Sequence, residues 1–203
     1  MTRPRLIYAI PGIRATTDDT DAWYERLGRL CVDRGVAFEA YEYHTTALGR
    51  RWRQGKRAEA IADRICSLGA RYDVTVVTHS NGADLFCRAV LDLPVEFPAV
   101  HLFAPACDND MERNGLNWAV ATGVVGHLYI HGSPDDGALA AATWSRRLFG
   151  WMGLGYGDLG RVGPTNLAPS LRDRVSWHEH RGFGHSTYFD DQHFDATMRG
   201  IVQ

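Results

Sequence analysis

Three short stretches place a hydroxyl, a carboxylate and an imidazole each just beyond an apolar, β-type run. The first is Thr78-His79-Ser80-Asn81-Gly82, where the run 73–79 gives way at once to a helix-type pattern. A serine hydroxyl attacks well only when a base removes its proton as the new bond forms. One arrangement that allows this sets the serine on a tight strand-to-helix turn, with the next backbone N–H aimed at the developing oxyanion. Such a turn asks for small residues two positions to either side. Gly82 meets that demand, whereas Thr78 brings a branched Cβ that must find room. The plainer role for Ser80 is a helix N-cap in a nucleotide-binding unit. No GxGxxG or GxxxxGKS/T phosphate loop accompanies it, however.

The second stretch is His131-Gly132-Ser133-Pro134-Asp135-Asp136-Gly137, and the third is Gly182-Phe183-Gly184-His185-Ser186. The Gly-x-x-Asp spacing from Gly132 favours Asp135 as the acid that orients a histidine. Asp136 beside it and Asp108, after the fourth strand, are the alternatives. His185 lies on a glycine-flanked loop, as a mobile base requires, while its rival His193 falls inside a C-terminal helical pattern. A fourth loop, Pro11-Gly12-Ile13-Arg14, follows the first strand. Gly12 permits a sharp bend there, and the N–H of Ile13 would join that of Asn81 as a pair of oxyanion donors.

These loops must be brought to one edge. Strand-type runs cover 5–10, 36–43, 73–79, 98–104, 124–131 and 173–180. Between them Trp23, Leu27, Leu30 and Cys31 share one helical face, as do Ile61, Ala62, Ile65 and Cys66. Further helices fit 82–91, 138–149 and 190–202. Alternation of this kind predicts one α/β domain over residues 1–203, with a mainly parallel sheet covered by helices on both faces. If the first strand lies beside the third, their loops open on one crevice at the point where strand order reverses. The Gly-rich segment 150–164 leads from a helix into a strand and is expected at the opposite edge as a surface loop.

With Ser, Asp and His in that order, each beyond a strand, the chain resembles the α/β-hydrolase superfamily, in particular its small, cap-less esterases and lipases. THSNG is similar to the nucleophile elbow, HGSPDD to the acid loop, GFGHS to the histidine loop and PGI to the oxyanion loop. The resemblance spans nearly the whole chain and implies strand order 2-1-3-4-5-6. It also implies Ser80 as nucleophile, His185 as base, Asp135 as acid, and the N–H groups of Ile13 and Asn81 as oxyanion donors. Thr78 departs from the usual first glycine, the family's two opening strands are missing, and the segment between the fourth and fifth strands is too short for a large lid.

The expected activity is hydrolysis of a carboxylic ester through an acyl-enzyme. A thioesterase, amidase or acyltransferase on the same triad is the near alternative, and a non-catalytic binding module of this fold the distant one. The substrate is expected to be a small-molecule ester, amphiphilic ones included. Candidate contacts to it are Arg14 and, within the basic stretch 49–57, Arg51 and Trp52. That stretch is more simply a solvated loop entering a helix.

Composition narrows the remaining classes. A formal charge of -2 on 203 residues provides no field to draw in nucleic acid. No apolar run reaches the length of a transmembrane helix, and the one after the basic residues of MTRPR is too short for a signal segment. Four cysteines without CxxC pairing read as reduced, which favours the cytoplasm. His178, His180 and His185 lack an HExxH frame or paired cysteines, so neither metal nor cofactor is expected.

Overall fold

A computed structural model describes residues 3–13, 22–43, 50–149 and 157–203, with the backbone alone at 50–52, 92 and 145–149. Arg14 and the side chains of Arg51 and Trp52 therefore lie outside the described residues.

The strands are β1 (Arg5–Ile10), β2 (Ala37–Ala40), β3 (Asp73–His79), β4 (Phe97–Phe103), β5 (Val125–Gly132) and β6 (Val175–Glu179). They form one six-stranded sheet in the order β2-β1-β3-β4-β5-β6, and all five pairings are parallel. The helices are α1 (Trp23–Asp33), α2 (Arg50–Gly69), α3 (Asn81–Ala89), α4 (Leu116–Ala121), α5 (Gly137–Phe149), α6 (Leu159–Val162) and α7 (Asp191–Val202). Among the described residues, no helix is long and apolar enough to cross a membrane.

Period-two alternation in the central strands divides the core. Leu6, Tyr8 and Ile10 of β1 join Ile61 and Ile65 of α2 and Leu85 and Phe86 of α3 on one face. Ile7 joins Leu27 and Cys31 of α1 and Phe194, Met198 and Ile201 of α7 on the other. Burying each such Leu or Ile side chain contributes roughly 1.5–3 kcal/mol, so the central strands are held from both sides.

Three sequence-based expectations need correction. The second strand ends at Ala40 rather than near 43, because its sole neighbour β1 pairs with it only from Leu6 to Ala9. The basic stretch is not a loop: from Arg50 it forms the first turns of α2. Gln54, Ala58, Ile61, Ile65 and Leu68 make its inward stripe at helical spacing, while Arg53 and Lys56 face solvent. Nor do residues 157–160 lie at the far edge. Gly157 N–H donates to the Ala106 carbonyl and Gly160 N–H to that of Pro105, beside the C-terminal end of β4. A Cβ on Gly157 would sit 1.8 Å from the Cys107 oxygen, and one on Gly160 2.6 Å from the Ala104 carbonyl carbon. These glycines are there because backbone packs on backbone.

Candidate active site

Ser80 ends β3 and precedes α3, with φ 54° and ψ −120°. A non-glycine residue at positive φ is strained and persists only when its surroundings fix it. Three backbone bonds do so here: Ser80 N–H donates to Phe103 O (3.0 Å), and Ser80 O accepts from Ala83 N–H and Ala106 N–H (both 3.1 Å). Gly82 is required by close approach, since a Cβ there would lie 2.1 Å from Ile10 O and 2.7 Å from Pro11 O. Thr78, the departure at the other side, is fully buried between Ile10 and Leu102 on the neighbouring strands. Its methyl is accommodated, and its hydroxyl is left without a hydrogen-bond partner.

The Ser80 hydroxyl lies 2.8 Å from Nε2 of His185. Nδ1 of the same ring lies 2.7 Å from Oδ2 of Asp136. A carboxylate can only accept, so Nδ1 carries the hydrogen and Nε2 presents its lone pair to the serine. The expectation that Asp135 faces the imidazole is thereby corrected. Asp135 is exposed, and its Oδ2 accepts the N–H of Gly182 at 2.7 Å, which ties it to the backbone of the histidine loop.

Asp136 is buried because it also begins α5. Its Oδ1 accepts the N–H of Leu139 at 2.9 Å, the bond of an N-cap residue. One carboxylate thus closes the helix and orients the imidazole, with the helix N-terminus favouring its negative charge. An aspartate directly before a helix-type run was the available signal; Gly-x-x-Asp spacing pointed one residue short. Of the other candidates, His193 lies in α7 against the Phe183 ring, and Asp108 pairs with Arg113 at 3.7 Å.

Gly12 brings the first loop over the serine: a Cβ on it would lie 3.1 Å from Ser80 Cβ and 3.4 Å from His79 Nδ1. Gly12, the residue before Ile13, thus packs against Ser80, and Asn81 follows Ser80 directly in the chain. Asn81 is the first residue of α3, so its N–H has no partner within the helix.

One residue that sequence reasoning passed over is His79. Its Nε2 lies 3.0 Å from the carbonyl oxygen of His185, and since a carbonyl only accepts, His79 donates. The ring is enclosed by Trp23, Phe189 and the His185 ring, with centroids at 6.3, 5.0 and 4.8 Å. Burial first, and then the nearby His185, push its pKa down from 6.5 to about 3. It stays neutral and keeps donating. Its signal was position: the residue before Ser80 points to the opposite strand face, toward α1 and α7.

His101, His127, His131 and His178 stack with Tyr129 across β4, β5 and β6. His178 lies on His131 at 4.8 Å with planes 12° apart, and His101 lies on Tyr129 at 4.5 Å. His178 and His180 do not converge with His185, whose two nitrogens are occupied by Ser80 and Asp136. Among the described residues, no group of three or more His, Cys, Asp or Glu is arranged to hold a metal ion.

The sequence matches no protein-family profile and no curated protein. Solved structures match over nearly all of it. Esterase PE8 superposes with a TM-score of 0.61 at 16% identity, covering 98% of this chain and 92% of that one. The NocB thioesterase domain, solved as a covalent complex with a fluorophosphonate nocardicin G analog, gives 0.54 at 14%, covering 98% and 93%. The monoacylglycerol lipase of Paleococcus ferrophilus gives 0.53 at 13%, covering 100% and 95%. At such identities the likeness is one of fold: this chain has the α/β-hydrolase fold.

Proposed function

We propose that this protein is a serine hydrolase that cleaves a carboxylic ester through Ser80, His185 and Asp136. The observation that carries the reading is the hydrogen-bonded line from the Ser80 hydroxyl through His185 to buried Asp136, at 2.8 and 2.7 Å, starting from a serine at positive φ. Ser80 Oγ attacks the ester carbonyl carbon as His185 Nε2 takes its proton. The carbonyl oxygen becomes an oxyanion, received by the N–H groups of Ile13 and Asn81. His185 then gives the proton to the departing alcohol, leaving an acyl group on Ser80. Water attacks that ester, again losing its proton to His185, and the acid departs as Ser80 is re-formed. Asp136 keeps its hydrogen bond to Nδ1 and stabilises the imidazolium. No metal or cofactor enters this scheme.

A thioester substrate suits the same machinery, and the likeness to a thioesterase domain favours testing one. A fluorophosphonate probe should label the wild-type protein and not Ser80→Ala. Turnover of a series of acyl esters and thioesters of rising chain length would then define the substrate. Failure of the wild type to take the label would sink the reading.

A further inference from the structure

We infer that Tyr43 and the side chain of Asn81 form a positioning relay that sets the two oxyanion donors relative to each other, an inference that rests on the hydrolase reading of Ser80. The donors come from separate parts of the chain: Ile13 from the loop after β1, and Asn81 from the start of α3. Both face the same oxygen in the proposed reaction, and an error in either direction weakens the hydrogen bond that forms only as charge develops.

The Tyr43 hydroxyl lies between their loops. It donates to the carbonyl oxygen of Pro11 at 3.1 Å and accepts from Nδ2 of Asn81 at 2.9 Å. A phenol has one hydrogen to give and lone pairs to receive, so both bonds form at once and each has a fixed direction. Oδ1 of Asn81 in turn accepts from Nε2 of Gln54 at 3.3 Å, which settles the orientation of the amide. Tyr43, Asn81 and Gln54 are 6%, 0% and 6% exposed, so water does not substitute readily for a lost member.

The end point of the relay points to its purpose. The Pro11 carbonyl belongs to the peptide that leads into Gly12, the flexible joint whose other peptide carries the Ile13 N–H. Holding that carbonyl blocks a flip of the Pro11–Gly12 peptide, the paired rotation about Pro11 ψ and Gly12 φ that a glycine readily permits. The same oxygen lies against Gly82, where a Cβ would approach it to 2.7 Å, so the elbow and the first loop are keyed at adjoining points. Asn81 thus supplies one donor from its backbone and, through Tyr43, steadies the loop bearing the other. Tyr43 is a positioning residue, since it touches neither Ser80 nor the reacting carbonyl in this scheme.

Tyr43→Phe keeps the ring and its core contacts and removes the hydroxyl. For a p-nitrophenyl ester, kcat should fall about tenfold to hundredfold with KM within about twofold, the pattern of an interaction made in the transition state. Affinity for a trifluoromethyl ketone that forms a tetrahedral adduct with Ser80 should fall by the same factor. The shape of the pH–rate profile should not change, because His185 keeps both of its partners. Asn81→Ala should lose a similar factor, and the double variant should be little worse than either single one. Rates are taken per folded molecule, with the folded fraction measured by circular dichroism. Tyr43→Phe turnover within twofold of wild type, unchanged adduct affinity, or losses that multiply in the double variant would each overturn the relay while leaving Ser80 chemistry intact. A wild type that neither turns over esters nor labels at Ser80 would overturn both readings.

Discussion

Asp136 and His185 meet at 2.7 Å while the second carboxylate oxygen of Asp136 caps α5 through Leu139 N–H. The Asp136 carboxylate is thus fixed by secondary structure where it meets the imidazole. An imidazole held this way offers its lone pair to Ser80 without a search over rotamers or tautomers.

That double duty separates two substitutions. In Asp136→Asn, the amide oxygen can keep the cap on Leu139, so stability should change little. The amide nitrogen then faces His185 Nδ1 and favours the tautomer with hydrogen on Nε2, which cannot accept from Ser80. Turnover should fall on the order of 10³–10⁴-fold. Asp135→Asn keeps an oxygen for Gly182 N–H and should stay within about threefold of wild type. Steady-state kinetics on the two proteins decide the matter: the reverse ranking would restore Asp135 as the acid.

Much of this site could be read before the fold was known. That Ser80 and His185 come together was legible because each sits where a strand pattern stops and glycines cluster. Alternation of strand and helix patterns predicted the parallel pairing, and the resemblance to α/β-hydrolases supplied the strand order. Asp136 was missed by one residue because loop spacing does not reveal which of two adjacent carboxylates turns inward; the helix cap does. The opening turns of α2 were hidden by their cations, which are unfavourable at a helix N-terminus. Their inward stripe of Gln54 and Ala58 lacks the hydrophobicity that marks a helical face. Gly157 and Gly160 carried no local signal of their packing, because close backbone approach is a tertiary property.

The strain at Ser80 has a measurable counterpart. Ser80→Ala and Ser80→Gly both lose the hydroxyl and its bond to His185, so their difference isolates the backbone. Relief of a positive-φ conformation is worth about 1–3 kcal/mol, against a loss of roughly 0.5–1 kcal/mol for the extra freedom of glycine in the unfolded chain. Ser80→Gly should therefore be the more stable of the two by about 1 kcal/mol. Chemical denaturation of both inactive variants gives the comparison. A Ser80→Gly protein less stable than Ser80→Ala by the full glycine cost of about 0.5–1 kcal/mol would mean the turn is not strained.

Acid should destabilise the protein through one buried and two half-buried histidines. Burial first, and then neighbouring histidines, lower His79 and His101 from 6.5 to about 3 and His131 to about 2. Between pH 6.5 and about 3 the unfolded chain binds protons at these rings that the folded protein does not. Their contribution is fully present above pH 6.5 and is lost as pH falls below it, by roughly 1.4 kcal/mol per pH unit for each ring once its unfolded form is protonated. Urea denaturation at pH 7 and pH 5 should show the loss. His101→Phe should reduce the difference, since the replacement ring binds no proton in either state. An unchanged pH dependence in that variant would show that other groups control acid sensitivity.

His79 offers the sharpest test of how the base is held. Its N–H reaches the backbone carbonyl of His185 itself, so in the proposed reaction it would act on the position of the base and not on the chemistry directly. Replacement by phenylalanine preserves an aromatic body against Trp23 and Phe189 but leaves the His185 carbonyl without this donor. The histidine loop then gains freedom, and the short contact between Nε2 and Ser80 is populated for less of the time. Turnover should fall about tenfold with KM little changed, since a misplaced base costs rate rather than binding. Glutamine can place an N–H near the Nε2 position and should recover part of the loss. A reactive phosphonate probe adds a second readout, because its reaction with Ser80 also depends on the base. Its labelling rate should follow the order wild type, His79→Gln, His79→Phe. If phenylalanine and glutamine lower labelling equally and by no more than their lost thermal stability explains, His79 serves packing alone.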